Sequence, residues 1–365
     1  MSEFNNENIN YETNVNFINI INNDNDIIIY NEELSIPIMK VENQSHDCVI
    51  DIPDSQPEEN MSASIALSLE ENPVIIIKKD CKLLGKGQDE VCCGSFTDKE
   101  TGKKGNYLSI YDGHGGDPCI NLIRSLNQEE IMSESNPVEY VVEKIKQHRT
   151  IKKIDMANSG STFVYAKIFT EDEDQSGIGY IDIGNVGDSE LAVFINGELV
   201  FKTTPQNAYD PIEMERLKRE NRVYNFKPTI VESKPLIHAN NKITMESALS
   251  INFREMNSLV PSQSLGHNEN TGYAPEYKKI IFDLKRDHVK VVCGSDGLWD
   301  MLNKEEEDKQ MLLNSDAAVL CSFAERRWKQ EWNYHNKNKT VQLTSFPSNG
   351  YDDIGIATFE YRSPS

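Results

Sequence analysis

The sequence predicts an α+β domain built in layers, mainly from antiparallel sheet. Three observations carry that expectation. Apolar, β-branched runs are joined by short turns, as at Asn196-Gly197 between Val193-Phe194-Ile195 and Leu199-Val200-Phe201, which is a strong hairpin signal. Helical periodicity appears elsewhere, with Val138, Val141, Val142 and Ile145 at i, i+3, i+4, i+7 spacing. Acids stand at the ends of β-runs beside Gly or Ser, at Asp112, Asp188, Asp296 and Asp352. Strands linked by tight turns run antiparallel, and helices set apart from them indicate an α+β arrangement.

Taken in order, residues 1–71 form an extension of different character. They are rich in Asn, Ile and acids, as in Ile18-Asn19-Ile20-Ile21-Asn22-Asn23-Asp24-Asn25, and Asp51 to Ser64 reads as a linker. This region is expected to be partly disordered, with Ile27-Ile28-Ile29-Tyr30 a candidate strand for the edge of the main sheet. The main domain is expected over residues 72–362. Val74-Ile75-Ile76-Ile77 begins it as a strand, and Gly85 to Glu90 turns the chain into Val91-Cys92-Cys93. Tyr107-Leu108-Ser109-Ile110 reads as a buried strand leading to Asp112. Ser159 to Ala166 reads as a turn and a strand, and Ile178 to Phe194 as strand interrupted by Asn185-Val186-Gly187-Asp188-Ser189. Residues 205–275 are charged and Asn-rich, the composition of an irregular surface insertion, with a short helix over Ile212 to Arg219. Ile280-Ile281-Phe282 and Val289 to Cys293 return to strand, Glu305 to Trp332 reads as helical, and Ile354 to Phe359 closes as a strand.

Composition narrows the function. The chain has 365 residues and a net charge of -22, opposite in sign to what nucleic acid or an anionic membrane surface attracts. Seven cysteines, an odd number without a C-x-x-C pair, fit reduced thiols. The N-terminus lacks a basic segment followed by an apolar core, and no apolar run approaches the ~20 residues of a membrane span. The expectation is a soluble, cytoplasmic monomer, with the nucleus left open as an alternative.

An Asp at a strand end with Gly directly after it suits a hard cation, because the carboxylate offers two oxygens and small residues let other ligands approach. Carboxylates gathered from several such ends repel one another unless cations bind among them. All-oxygen donors favour Mg2+ or Mn2+ over zinc. Other chemistries lack their motifs. Asp172-Glu173-Asp174-Gln175-Ser176-Gly177 opens like an EF-hand loop, but its twelfth position is Ile183 rather than Glu. Gly85-Lys86-Gly87 is not a P-loop, no G-x-S-x-G elbow occurs, and Cys119 has no C-x5-R context. His46, His148, His238, His267, His288 and His335 show no ligand spacing and read as surface or core histidines.

The ordered set Asp112-Gly113-His114-Gly115-Gly116, Ser159-Gly160-Ser161-Thr162, Asn185-Val186-Gly187-Asp188-Ser189, Ser295-Asp296-Gly297-Leu298-Trp299-Asp300 and Asp352-Asp353-Ile354 resembles the PP2C family of metal-dependent protein serine/threonine phosphatases. A weaker block, Ser262 to His267, resembles the family's Arg-x-Leu-Gly-Asp segment. The resemblance runs from about residue 80 to 360. It implies a sandwich of two antiparallel sheets flanked by helices, and a centre of two Mg2+ or Mn2+ ions with a weaker third.

By motif, Asp112 would bridge both ions, the Gly113 carbonyl would bind one, and Asp296 and Asp352 would complete the other site. Asp89 would hold metal-bound water, and Asp188, Asp296 and Asp300 the third ion. The implied reaction is attack of a metal-bridging hydroxide on the phosphorus of phosphoserine or phosphothreonine in protein substrates, with His114 protonating the leaving oxygen. Lys86 is the nearest candidate to grip phosphate.

The sequence departs from the family pattern at Gln88, Glu190, Gln263, His267 and Asp353. Those departures and the 205–275 insertion motivate an alternative, an inactive relative that binds a phosphoprotein or partner.

Overall fold

Apolar residues alternating along the strands build two sheets that share one core. The computed structural model describes residues 17–21, 27–31, 73–171, 176–224, 229–303, 306–335 and 341–364. In chain order the strands are β1 (Phe17–Ile21), β2 (Ile27–Asn31), β3 (Val74–Lys82), β4 (Asp89–Thr97), β5 (Lys104–His114), β6 (Gly160–Ser161), β7 (Phe163–Phe169), β8 (Ile178–Val186), β9 (Glu190–Ile195) and β10 (Glu198–Lys202). They continue as β11 (Thr229–His238), β12 (Lys242–Ser250), β13 (Leu265–Gly266), β14 (Glu276–Asp283), β15 (His288–Gly294), β16 (Trp332–His335), β17 (Val341–Thr344) and β18 (Ile354–Arg362). The helices are α1 (Asp117–Ser125), α2 (Gln128–Ser133), α3 (Pro137–Lys152), α4 (Pro211–Arg219), α5 (Asp296–Trp299), α6 (Glu306–Asn314) and α7 (Ala317–Lys329).

One sheet runs β1-β2-β3-β18-β15-β9-β10, and the other runs β13-β6-β5-β7-β8-β14 with β4 on β5. Ladders within both are antiparallel. On β15, Val289, Val291 and Cys293 face the shared core while Val292 faces outward, and on β9 Leu191 and Val193 face in while Ala192 and Phe194 face out. On β5 the same period of two puts Leu108 and Ile110 inside and Tyr107 and Tyr111 against the helices. The outer face of one sheet is covered by α1–α3 and that of the other by α5–α7. The result is a sandwich of two antiparallel sheets with helices outside.

Helix ends follow local chemistry. Asn136 caps α3 by accepting from the Glu139 N–H, with Pro137 as first residue. The helical region expected over residues 305–332 is two helices, and Trp332 opens β16. The break falls at Asn314-Ser315-Asp316, where Asp316 accepts from the Val319 N–H and starts α7 afresh.

The insertion over residues 205–275 is more regular than its composition suggests. It holds α4 and the β11–β12 hairpin, whose turn contains Asn240 and Asn241 at positive φ. With β16 and β17 that hairpin forms a separate sheet. Its Asn residues serve the turn, and Ile237 and Ile243 pack under it against α5–α7. In the N-terminal extension, β2 pairs with β3 and so adds to the sheet edge. The rest of residues 1–72, with the expected linker and His46, lies outside the described residues, as do residues 172–175 of the EF-hand-like loop. The cysteines at 81, 92, 93, 119, 293 and 321 are all free thiols.

Lys167 on β7 places Nζ 2.7 Å from Asp98 Oδ2 with both side chains under 10% exposed, and also donates to the Glu134 carbonyl. Lys167→Met removes the cation and strands a buried carboxylate. Urea denaturation is expected to show a loss of ~3–5 kcal/mol; a loss below about 1 kcal/mol would mean the pair contributes no more than an exposed one.

Candidate metal centre

Antiparallel pairing brings distant acids to one end of the sandwich. Asp89 opens β4 and lies directly opposite Asp112 near the end of β5. Asp188 stands between β8 and β9, Asp296 begins α5 just past β15, and Asp352 precedes β18. Since β15 pairs with both β9 and β18, its Gly294 end lies beside Glu190 and Ile356. Starts of some strands therefore meet ends of others, and every one of these acids sits there.

The acids are close enough to repel. Burial first, then the charges of Asp296, Asp89, Asp352 and Asp188, push the Asp112 carboxyl well above its usual range. Asp352 is pushed up to about 9 by burial and by Asp296, Asp89 and Asp300. Asp89 is pushed up to about 8 by burial, with Asp296 and Asp353 adding to it and the Ser295 hydroxyl and Arg124 partly offsetting it. Asp89 Oδ2 is buried without a hydrogen-bond partner. Among the described residues no three His, Cys, Asp or Glu side chains are placed to hold a single ion between them.

Neighbouring residues hold the acids in place. The Asp112 N–H donates to Thr162 Oγ1, whose hydroxyl lies 2.7 Å from that of Ser189, and the Thr162 N–H donates to the Asp112 carbonyl. That explains the Ser159–Thr162 block, which supports the backbone at Asp112. Gly113 donates to the Gln88 carbonyl, and a Cβ on Gly113 would lie 2.7 Å from that oxygen. Gly297 lets α5 approach β18, since a Cβ there would sit 1.9 Å from the Asp353 carbonyl oxygen. Trp299 Nε1 donates to the carbonyls of Gly294 and Glu190.

The departures from the family pattern have local partners. Asp353 is buried and clamps the 85–88 loop, accepting from the N–H of Gly85 at 2.7 Å and of Gln88 at 2.8 Å. Gln88 Nε2 donates to Asp117. Gln263 closes a two-bond contact with the Ala274 backbone, accepting from its N–H and donating to its carbonyl. Glu190 pairs with Lys202 at 2.7 Å. Lys86 is exposed on the clamped loop, close enough to His114 for its charge to act there.

His114 follows Asp112 and Gly113 at the end of β5. Burial, then His267 and Lys86, hold its imidazole down at about 3, so it is neutral at pH 7. Its Nε2 is buried and unpartnered. His267 was the residue the spacing argument passed over. It is fully buried and stacks on His114, with ring centroids 5.0 Å apart. The one signal in the sequence was its place in the Ser262–His267 block.

The raised carboxyls set a sign for pH. Each keeps its proton in the folded chain over a range where the unfolded chain, with Asp near 3.9, has lost it. Their contribution to stability is present below about pH 4 and is lost as pH rises towards 8. In chelator, the melting temperature is therefore expected to fall between about pH 5 and pH 8, and Asp89→Asn is expected to melt higher than the parent at pH 8. Melting that rises with pH over that window, or a destabilised Asp89→Asn, would contradict the clustering.

The chain is similar to several known proteins. A C. elegans sex determining protein superposes with a TM-score of 0.46 at 15% identity, over 80% of this chain and 66% of that one. A serine/threonine phosphatase of S. agalactiae superposes with a TM-score of 0.43 at 16% identity, over 78% and 98%. A probable protein phosphatase of Dictyostelium discoideum is 26% identical over 231 residues, 61% of this chain and 20% of that protein. Protein phosphatase 1B of Homo sapiens is 24% identical over 275 residues, 69% of this chain and 50% of that protein. The chain spans a fifth of the length of the Dictyostelium protein and half of the human one. The sequence model of the protein phosphatase 2C family matches residues 87–310, more than half of the 365, and the chain belongs to that family.

Proposed function

We propose that this protein hydrolyses phosphoserine and phosphothreonine in proteins, in a reaction that depends on Mg2+ or Mn2+. The observation that carries the reading is the half-buried cluster of Asp112, Asp296 and Asp352 with Asp89 and Asp188, whose mutual repulsion calls for cations. Membership of the protein phosphatase 2C family supports the substrate class.

The donor set fits hard ions. It is all carboxylate and carbonyl oxygen, and it includes an unpartnered buried oxygen on Asp89. Asp112 and the Gly113 carbonyl, with Asp296 and Asp352, would hold two ions, and Asp188, Asp296 and Asp300 a weaker third. Asp89 would accept from water held by those ions. When bound, two such ions draw a nucleophile from water at neutral pH and neutralise phosphoryl charge.

The remaining chemistry falls to side chains of the chain itself. Lys86 offers a point charge to the phosphate oxygens from a loop that Asp353 holds still. His114 is neutral in the free protein. An arriving phosphate dianion favours its imidazolium form, which then gives the proton to the leaving Ser or Thr oxygen.

A phosphothreonine peptide assayed with Mn2+ tests the reading. Turnover is expected to cease in excess chelator, and Asp112→Asn is expected to lose about a hundredfold or more in kcat, since Lewis-acid stabilisation is worth several kcal/mol. Lys86→Ala is expected to raise KM by up to about tenfold, the value of one charge-assisted contact. Turnover indifferent to chelation, or unchanged in Asp112→Asn, would overturn the assignment.

A further inference from the structure

A cavity of about 460 Å³ lies between the outer face of β9 and β10, the helices α5 and α6, and strand β11. The period of two along β9 turns Ala192 outward, and its single methyl group lets the wall recede there. Trp299 and Leu312 close the cavity on the helix side, and Leu236 closes it on the side of β11. Its size and its apolar lining suit an organic group rather than an ion.

The charges at its edge answer one another. Lys202 Nζ lies 2.7 Å from Glu190 Oε2 and 4.3 Å from the centroid of the Trp299 ring. Lys309 Nζ lies 3.8 Å from Glu198 Oε2. An anionic ligand would have to displace those acids, and a cationic one would meet the lysines. What the cavity offers is apolar contact.

Two features connect it to the acidic cluster and to the surface. Asp300 lines the cavity, and its charge acts on the Asp352 carboxyl, so this residue borders both places. Glu190, also in the wall, stands two residues past Asp188. At the outer end Leu199 lines the cavity on β10, the last strand of its sheet, with 45% of its surface exposed. A partner that covers an exposed Leu beside an apolar hollow gains the burial of both.

We propose that this cavity receives an apolar side chain of the phosphoprotein substrate, of the size of Leu or Phe, a short way along the chain from the phosphorylated residue. The inference rests on the reading of the protein as a phosphatase, and adds to it which sequences around the phosphate are preferred. A peptide with its phosphate at the acids brings neighbouring residues past Asp300, since an extended chain advances only about 3.3 Å per residue. A charged side chain is disfavoured at that position, because burying it without a partner is costly.

The test uses phosphothreonine peptides that carry alanine at every other position except for one Leu, walked along either side of the phosphoresidue. With the full chain and Mn2+, one position is expected to raise kcat/KM about tenfold or more over the all-alanine peptide, mainly by lowering KM. Ala192→Leu fills the cavity, and Leu199→Ser removes its exposed rim with little risk to folding. Each is expected to bring the ratio between the leucine and alanine peptides close to one.

Even turnover across the peptides would overturn this proposal and leave the phosphatase reading standing. If decanoate then shifts the Trp299 indole N–H resonance, the cavity belongs to a small amphiphile instead. A leucine preference that survives in Leu199→Ser would also overturn it, since the apolar contact would lie elsewhere. Absence of turnover on every peptide would sink the phosphatase reading itself, and this inference with it.

Discussion

Repulsion among buried carboxylates is the constraint that organises this molecule. Asp89, Asp112 and Asp352 are each pushed far above the ordinary carboxyl range, chiefly by burial and then by one another. A fold that only needed to be stable would disperse these charges or pair them with Lys and Arg. Arg124 does pair with Glu90 nearby and donates to the Asp89 carbonyl, yet its cation only partly offsets the charge on Asp89. The raised carboxyls keep their protons, which relieves that repulsion.

Such a cluster demands a rigid frame, and the two sheets supply it. The acids hang on strand ends whose other residues are anchored in the shared core, such as Leu108 and Ile110 on β5 and Val291 and Cys293 on β15. Support at the rim comes from side chain to backbone bonds: Thr162 to Asp112, Asp353 to the 85–88 loop, Trp299 to Gly294 and Glu190. Small residues matter where elements close up on the acids, above all Gly297, where even a methyl group would collide with the Asp353 carbonyl.

The departures from the family pattern read differently in space than along the chain. Asp353 and Gln263 satisfy backbone groups, and Glu190 is neutralised by Lys202. None of them removes an acid from the cluster. His267 is the exception, since it alters the immediate surroundings of His114.

The strands were legible along the chain, because a period of two and Asn-Gly turns are local properties, and the acids at strand ends stood out beside them. Asp112, Asp188, Asp296 and Asp352 could be picked out for their Gly and Ser neighbours. It under-read the 205–275 segment, where Asn-rich composition masked the paired strands β11 and β12, and it ran α6 and α7 together across the cap at Asp316. Which groups meet depends on how the sheets pack. The opposition of Asp89 and Asp112, the clamp of Asp353 on Gly85 and Gln88 across more than 260 residues, and the stacking of His267 on His114 all join chain segments far apart in sequence. Local patterns carry no record of such contacts, because they depend on how whole sheets pack and not on any residue's neighbours along the chain.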